Sequence, residues 1–260
     1  MVVCALLSVV ISIGAIIFFS RKVKMNLSTI FLGIILYVGF STILLNMFDN
    51  FILRLLSSGV QNWLFDNPVL YALYYAFIHA LFFTAGFYTI GRMAMRADTG
   101  VGTGVALGLG CAGTYAVLDT GVKMFNYIMA AFDVNKNGIE SFMASATEEN
   151  FDVLQSSLDS LLATTPLDTA TRGIEMIIMF ALFVAIGTII QLAVTHRCHI
   201  SFVYAGMGIL FVAYLPTAFY NVGLLPSAVI VEMITAVVSI ITCVIAARMA
   251  AKYKDAPMKF

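Results

Sequence analysis

Among the 260 residues, His79, Asp119, Lys123, Glu175 and Glu232 are ionisable side chains inside, or at the rims of, long apolar stretches. A charge in hydrocarbon costs about 2.5–3.5 kcal/mol on insertion scales, so each needs a partner or a purpose. Carboxylates and an imidazole at such depths can move a proton, hold a cation or bind a polar ligand. Their positions predict an outward-opening polar cavity lined by His79, Asp119, Glu175 and Glu232. A plainer arrangement competes with it: Asp119 pairs with Lys123 four residues on, Glu175 pairs with Arg172, and His79 hydrogen-bonds inside the bundle.

Two other clusters imitate metal sites. His196, Cys198 and His199 sit at the end of an apolar stretch, but a fourth ligand is not apparent, and surface loop residues explain them. Asp133, Asn135, Asn137 and Gly138 resemble the start of a calcium loop; its twelfth position is Ala144, where a bidentate Glu is required, so an ordinary Asn/Gly turn is expected. The four cysteines, Cys4, Cys111, Cys198 and Cys243, are widely separated and suggest neither a disulfide framework nor a zinc site. No metal and no cofactor is implied.

The elements that must position these residues are transmembrane helices. Apolar residues make up 61% of the chain and charged residues 11%, against about 45–50% and about 25% in a soluble domain. A span needs about 20 apolar residues. Apolar stretches run near 2–20, 27–48, 69–91, 101–118, 174–195, 200–220 and 227–247, which predicts an all-α polytopic bundle of seven spans. Residues 1–260 then form a single transmembrane domain, with one polar outer segment at about 121–171. Arg21, Lys22 and Lys24 follow the first span, where a signal peptide would carry its charge ahead of the apolar run. With the amino terminus outside and the carboxyl terminus inside, ten basic residues fall on the cytoplasmic side (these three, with Arg92, Arg96, Arg197, Arg248, Lys252, Lys254 and Lys259), and four (Arg54, Lys123, Lys136, Arg172) fall outside.

In the outer segment, Ser145 and Glu148 are spaced as a capping box, and Phe151, Leu154, Leu158 and Leu161 recur at helical spacing before Pro166. An amphipathic outer helix is expected there, lying as a lid on the bundle or membrane, or offering a docking surface. Trp63, Tyr71, Tyr74 and Tyr75 predict an outer aromatic belt, and Arg92 with Arg96 an inner basic pair. Glycines 100, 104 and 108, joined by 102, 110 and 113, predict close helix packing around the fourth span, or an unwound segment beside a site.

Several segments together resemble the YhfC family of glutamic-type intramembrane proteases over nearly the whole chain. Gly91-Arg92 match the end of that family's Glu-Glu-x-Gly-Arg segment. Gly108, Gly110 and Gly113 match the glycines of its Gly-x-Gly-His-Gly-Gly-x-Glu segment; Glu175 resembles the Glu that opens its fifth span, and Pro216 the proline of its Asp-x-Pro site. The resemblance puts Tyr88 and Thr89 where the family has paired carboxylates, and Cys111 and Tyr115 where it has His and Glu. It puts Phe183 at the fifth-span His, and Leu210 and Tyr214 at the sixth-span His and Asp.

Peptide hydrolysis needs a base for water and a group to stabilise the oxyanion, and these side chains supply no base. The resemblance therefore implies a catalytically degenerate relative in the bacterial cytoplasmic membrane. Such a protein would act as a binding, scaffold or partner subunit toward the lipid bilayer and another membrane protein or peptide, not toward nucleic acid. Two alternatives stay open: an intramembrane peptidase with a rearranged site built on Glu175, Glu232 or His79, and a small transport component, which an inverted repeat would favour.

Overall fold

The computed structural model describes residues 1–94, 100–144, 151–195 and 198–253, and in them the chain is helical with no strand. In order, α1 is Val2–Lys22; α2 Leu27–Leu36 runs through a π-helical segment, Tyr37–Leu44, into α3 Leu45–Leu55; α4 is Ser58–Phe65 and α5 Pro68–Ala94. A second continuous helix comprises α6 Val101–Tyr115, a π-helical segment Ala116–Val122 and α7 Lys123–Asn137. The short α8 Ile139–Ala144 and α9 Phe151–Ala163 follow, then α10 Pro166–Val194, α11 Ser201–Asn221 and α12 Ala228–Tyr253. Seven of the described helical stretches are long and apolar enough to cross a bilayer.

Their starts and stops follow local chemistry. Thr165 caps α10: its hydroxyl accepts from the Asp168 N–H at 3.2 Å while the Asp168 carboxylate accepts from the Thr165 N–H at 2.9 Å, with Pro166 at the first helical position. This adds two turns ahead of the apolar stretch that begins near residue 174. Gly138, at φ +84°, ends α7 in a conformation open to glycine, so the calcium-loop imitation is a helix terminus in which Asn137 donates to Asp133. The expected amphipathic helix is α9; the Ser145–Glu148 box proposed to cap it lies outside the described residues, as do Arg96, His196, Arg197, Lys254 and Lys259.

Lipid tails give helices no hydrophobic reason to associate, so close backbone approach and interhelical hydrogen bonds hold the bundle. α10 is its centre, packed on α6, α12 and α11, while α2 lies against α6 and α11 against α5. A Cβ on Gly108 would lie 2.5 Å from Val184 Cα, and one on Gly187 would lie 2.8 Å from the Gly104 carbonyl, so α6 and α10 meet backbone to backbone. The glycine ladder is thus a packing surface. Side-chain bonds reinforce it: Ser239 Oγ donates to the Ile178 carbonyl at 3.0 Å, and Cys4 Sγ to that of Thr169 at 3.3 Å. The large apolar side chains of α1, α2 and α12 that point away from these seams are exposed for lipid.

Candidate functional site

The starts of α1 and α10 meet at Cys4 and Thr169, and the ends of α5 and α10 meet at Gly91 and Gln191, which fixes two ends of the bundle. One carries the basic residues Arg21, Lys22, Lys24, Arg92 and Lys252; the other carries α8 and α9. A cavity of about 490 Å³ enters from the α8–α9 end. It is bounded by both π-helical segments, the middle of α5, the first turns of α10, the last turns of α11 and the start of α12. His79, Asp119, Glu175 and Glu232 all line it.

The two π-helical segments face each other across this cavity. Tyr37, at the start of one, donates its hydroxyl hydrogen bond to the carboxylate of Asp119 in the other. Asp119 also holds Lys123 at 2.8 Å. Wide helical turns cluster at functional sites because they re-aim side chains that an α-helix would point elsewhere. Here they bring Ser41 and Thr42 to the lining beside Asp119 and Thr120. Sequence reasoning missed Tyr37, whose apolar surroundings read as an ordinary span.

Glu175 stands nine residues into α10, about 13 Å below the start of that helix. Tyr115 donates to its Oε1 at 3.3 Å. The expected pair with Arg172 is absent from the ion pairs of the described residues, and Arg172 is exposed at the mouth. Glu232, from the second turn of α12, is 8% exposed, and its Oε2 has no hydrogen-bond partner among the described residues. His79 donates from Nδ1 to the Tyr75 carbonyl at 2.9 Å, which leaves Nε2 of the neutral ring as an acceptor. Tyr75, expected in the aromatic belt, instead stacks on His79 with ring centroids 4.0 Å apart and lines the cavity; Tyr74 donates to Asp49 at 2.6 Å.

The floor of the cavity is aromatic. Tyr115 lies 5.6 Å from Phe183 and 6.2 Å from Tyr37 between centroids; Phe83 lies 4.8 Å from Phe183 and 5.8 Å from Tyr214; Tyr214 lies 5.2 Å from His79. Offset and edge-on rings at these distances attract one another beyond the area they bury. Cys111 and Leu210 are fully buried in the same core cluster, one helical turn from Tyr115 and Tyr214. Cys111, Tyr115, Phe183, Leu210 and Tyr214, from three different spans, thus meet in one cluster. Tyr88 packs against the same cluster, with the Arg92 guanidinium 5.7 Å from its ring, and Thr89 is exposed.

The sequence matches the family described as YhfC intramembrane metalloprotease over residues 7–235. This protein belongs to the YhfC family. It is similar to the uncharacterized membrane protein YhfC of Bacillus subtilis (strain 168), 27% identical over 232 residues that cover 87% of this chain and 86% of that one. No solved structure matches it.

The family description implies a metal, and the donors among the described residues do not fit one. Among the described residues no three His, Cys, Asp or Glu side chains gather as a metal-binding group. Cys198 and His199 do not compensate: His199 Nδ1 accepts from the Ser201 N–H at 3.2 Å at the start of α11, and partial burial pushes the Cys198 thiol up to about 11.

Proposed function

We propose that this YhfC-family protein does not hydrolyse peptides by metal chemistry but binds a ligand in its cavity, as a binding or partner subunit of the cytoplasmic membrane. The observation that carries this reading is the convergence of Tyr115, Phe183 and Tyr214 into one packed aromatic floor. A base and a water-activating ligand set are replaced there by rings that exclude water and cannot take a proton at neutral pH. The cavity above that floor keeps polar groups that can recognise a ligand, and its volume lies in the ordinary range of small-molecule sites, about 300–1,000 Å³.

A second reading is favoured by the two carboxylates that share the cavity. Glu232, with an unpartnered oxygen, and Glu175, held by the Tyr115 hydroxyl, have the residue types of a metal-independent acid and base pair.

Purified protein in lipid, incubated with model transmembrane peptides, separates the two. No cleavage is expected from wild type, Glu175→Gln, Glu232→Gln, His79→Ala or a chelator-treated sample. Cleavage by wild type that Glu175→Gln or Glu232→Gln abolishes would refute the binding reading and install the carboxylate pair. Cleavage that only the chelator stops would refute both.

A further inference from the structure

The proposed binding role leaves the ligand unnamed, and the chemistry of the lining narrows it. The charged groups around the cavity are Asp119, Asp168, Glu175 and Glu232 against Lys123 and Arg172, an excess of carboxylate. Local contacts account for some of them. Asp119 is held by Lys123 and Tyr37, and Asp168 is engaged by the Thr165 cap. Arg172 is exposed at the mouth, away from the floor. Glu175 and Glu232 remain, deeper in, without a cation bonded to either among the described residues.

Glu232 is the decisive residue. It is more than nine-tenths buried, it lines the cavity, and its Oε2 accepts from none of the described residues. A buried acceptor left unmade is costly, and the neighbouring surfaces are aromatic: Tyr75, His79, Tyr115 and Tyr214 present rings around the same space. Carboxylates offset by ring faces are the combination that attracts an organic cation, through ion pairing and through the ring quadrupole together.

We infer that the cavity is a binding site for an alkylammonium group, seated between Glu232 and Glu175 above the Tyr75–His79–Tyr214 rings. This rests on the binding role proposed above and specifies its ligand. The ammonium can belong to a free amine or to an ethanolamine or choline headgroup that reaches in from the membrane. The N–H groups of a primary ammonium would donate to Glu232 Oε2 and to a neutral His79 Nε2, whereas a quaternary ammonium would pair with the carboxylate by charge alone.

The test is equilibrium binding of radiolabelled choline to full-length protein in nanodiscs of phosphatidylglycerol, which carry no amine headgroup. Saturable binding is expected, displaced by tetramethylammonium and propylammonium but not by 3,3-dimethyl-1-butanol, the uncharged carbon analogue of choline. Glu232→Gln, which keeps the shape and removes the ionisable carboxyl, should weaken it by about tenfold or more, with Glu175→Gln similar. Unfolding temperatures of both variants are measured alongside, so that loss of binding by a folded variant is distinguished from loss of fold.

Repeating the titration in phosphatidylethanolamine nanodiscs finds the source. Weaker apparent affinity there assigns the site to a lipid headgroup, and unchanged affinity assigns it to a soluble amine. The inference is overturned if folded wild type binds no choline, if the uncharged analogue competes equally, or if folded Glu232→Gln and Glu175→Gln both bind as wild type does. Equal competition by the uncharged analogue leaves the binding role standing and removes only its ammonium ligand, whereas peptide cleavage would remove the role itself.

Discussion

Replacing Gly108 by Ala tests whether α6 and α10 meet at backbone distance. The added Cβ would lie 2.5 Å from Val184 Cα, 2.8 Å from the Phe183 carbonyl oxygen and 3.1 Å from that of Val184, where ordinary contact begins at 3.4 Å. The shortfall, about 1 Å, falls on backbone atoms, and no side chain can swing away to relieve it. The helices must separate, which breaks the contacts around Phe183 and loosens the cavity floor. Overpacking of this kind costs about 1–3 kcal/mol, and a rigid neighbour puts Gly108→Ala toward the upper end.

Gly14→Ala is the matched control, because nothing lies within 4 Å of its Cβ position on the exposed face of α1. There the methyl only removes backbone freedom from the unfolded chain, a gain of about 0.5–1 kcal/mol. Thermal unfolding in detergent, followed by circular dichroism, should show Gly108→Ala melting about 5–10 °C lower and Gly14→Ala slightly higher than wild type. Gly187→Ala should resemble Gly108→Ala, and the double variant should lose less than the sum of the two, since one separation relieves both. Equal melting of Gly108→Ala and Gly14→Ala would refute the backbone contact.

Gln191 is 2% exposed and neither end of its amide has a partner among the described residues, so Gln191→Met should raise the melting temperature by several degrees; a fall would mean that the amide is satisfied after all. Thr165→Ala removes the hydroxyl that accepts from the Asp168 N–H and should cost about 1 kcal/mol, a shift of about 2–4 °C in the same assay. In a variant whose sole cysteine is Cys198, the thiol at about 11 leaves little thiolate at neutral pH. Because the thiolate is the nucleophile, maleimide labelling should be slow at pH 7 and rise about tenfold per pH unit toward 10, whereas an ordinary thiol levels off near 8.5. Early levelling would show that Cys198 is not shielded.

The spans and the cavity lining were legible for the same reason. Hydrocarbon penalises polar atoms so heavily that apolar runs mark the helices, and the exceptions, His79, Asp119, Glu175 and Glu232, single themselves out by their cost. The depth of Glu175 was less legible: the polar turns from Pro166 to Gly173 read as loop, because the capping box that makes them helical spans only Thr165 and Asp168. Tyr37 was invisible because its role depends on a π-helical turn, and no residue type around Tyr37–Leu44 announces one. The aromatic floor was half legible. The resemblance marks Tyr115, Phe183 and Tyr214 as counterparts of family site positions, but their convergence and the contribution of Phe83 depend on how α5, α6, α10 and α11 cross.

The closed floor also shapes the electric field across the membrane. A solvent-connected cavity carries the potential of its own aqueous side inward, so the voltage drop concentrates in the packed rings and in the glycine-seamed helices beyond them. A cation crossing the whole bilayer responds to the voltage by about 2.3 kcal/mol per 100 mV. One that stops at Glu175 and Glu232 traverses only a small part of that drop. Its affinity should therefore change little when the membrane is polarised.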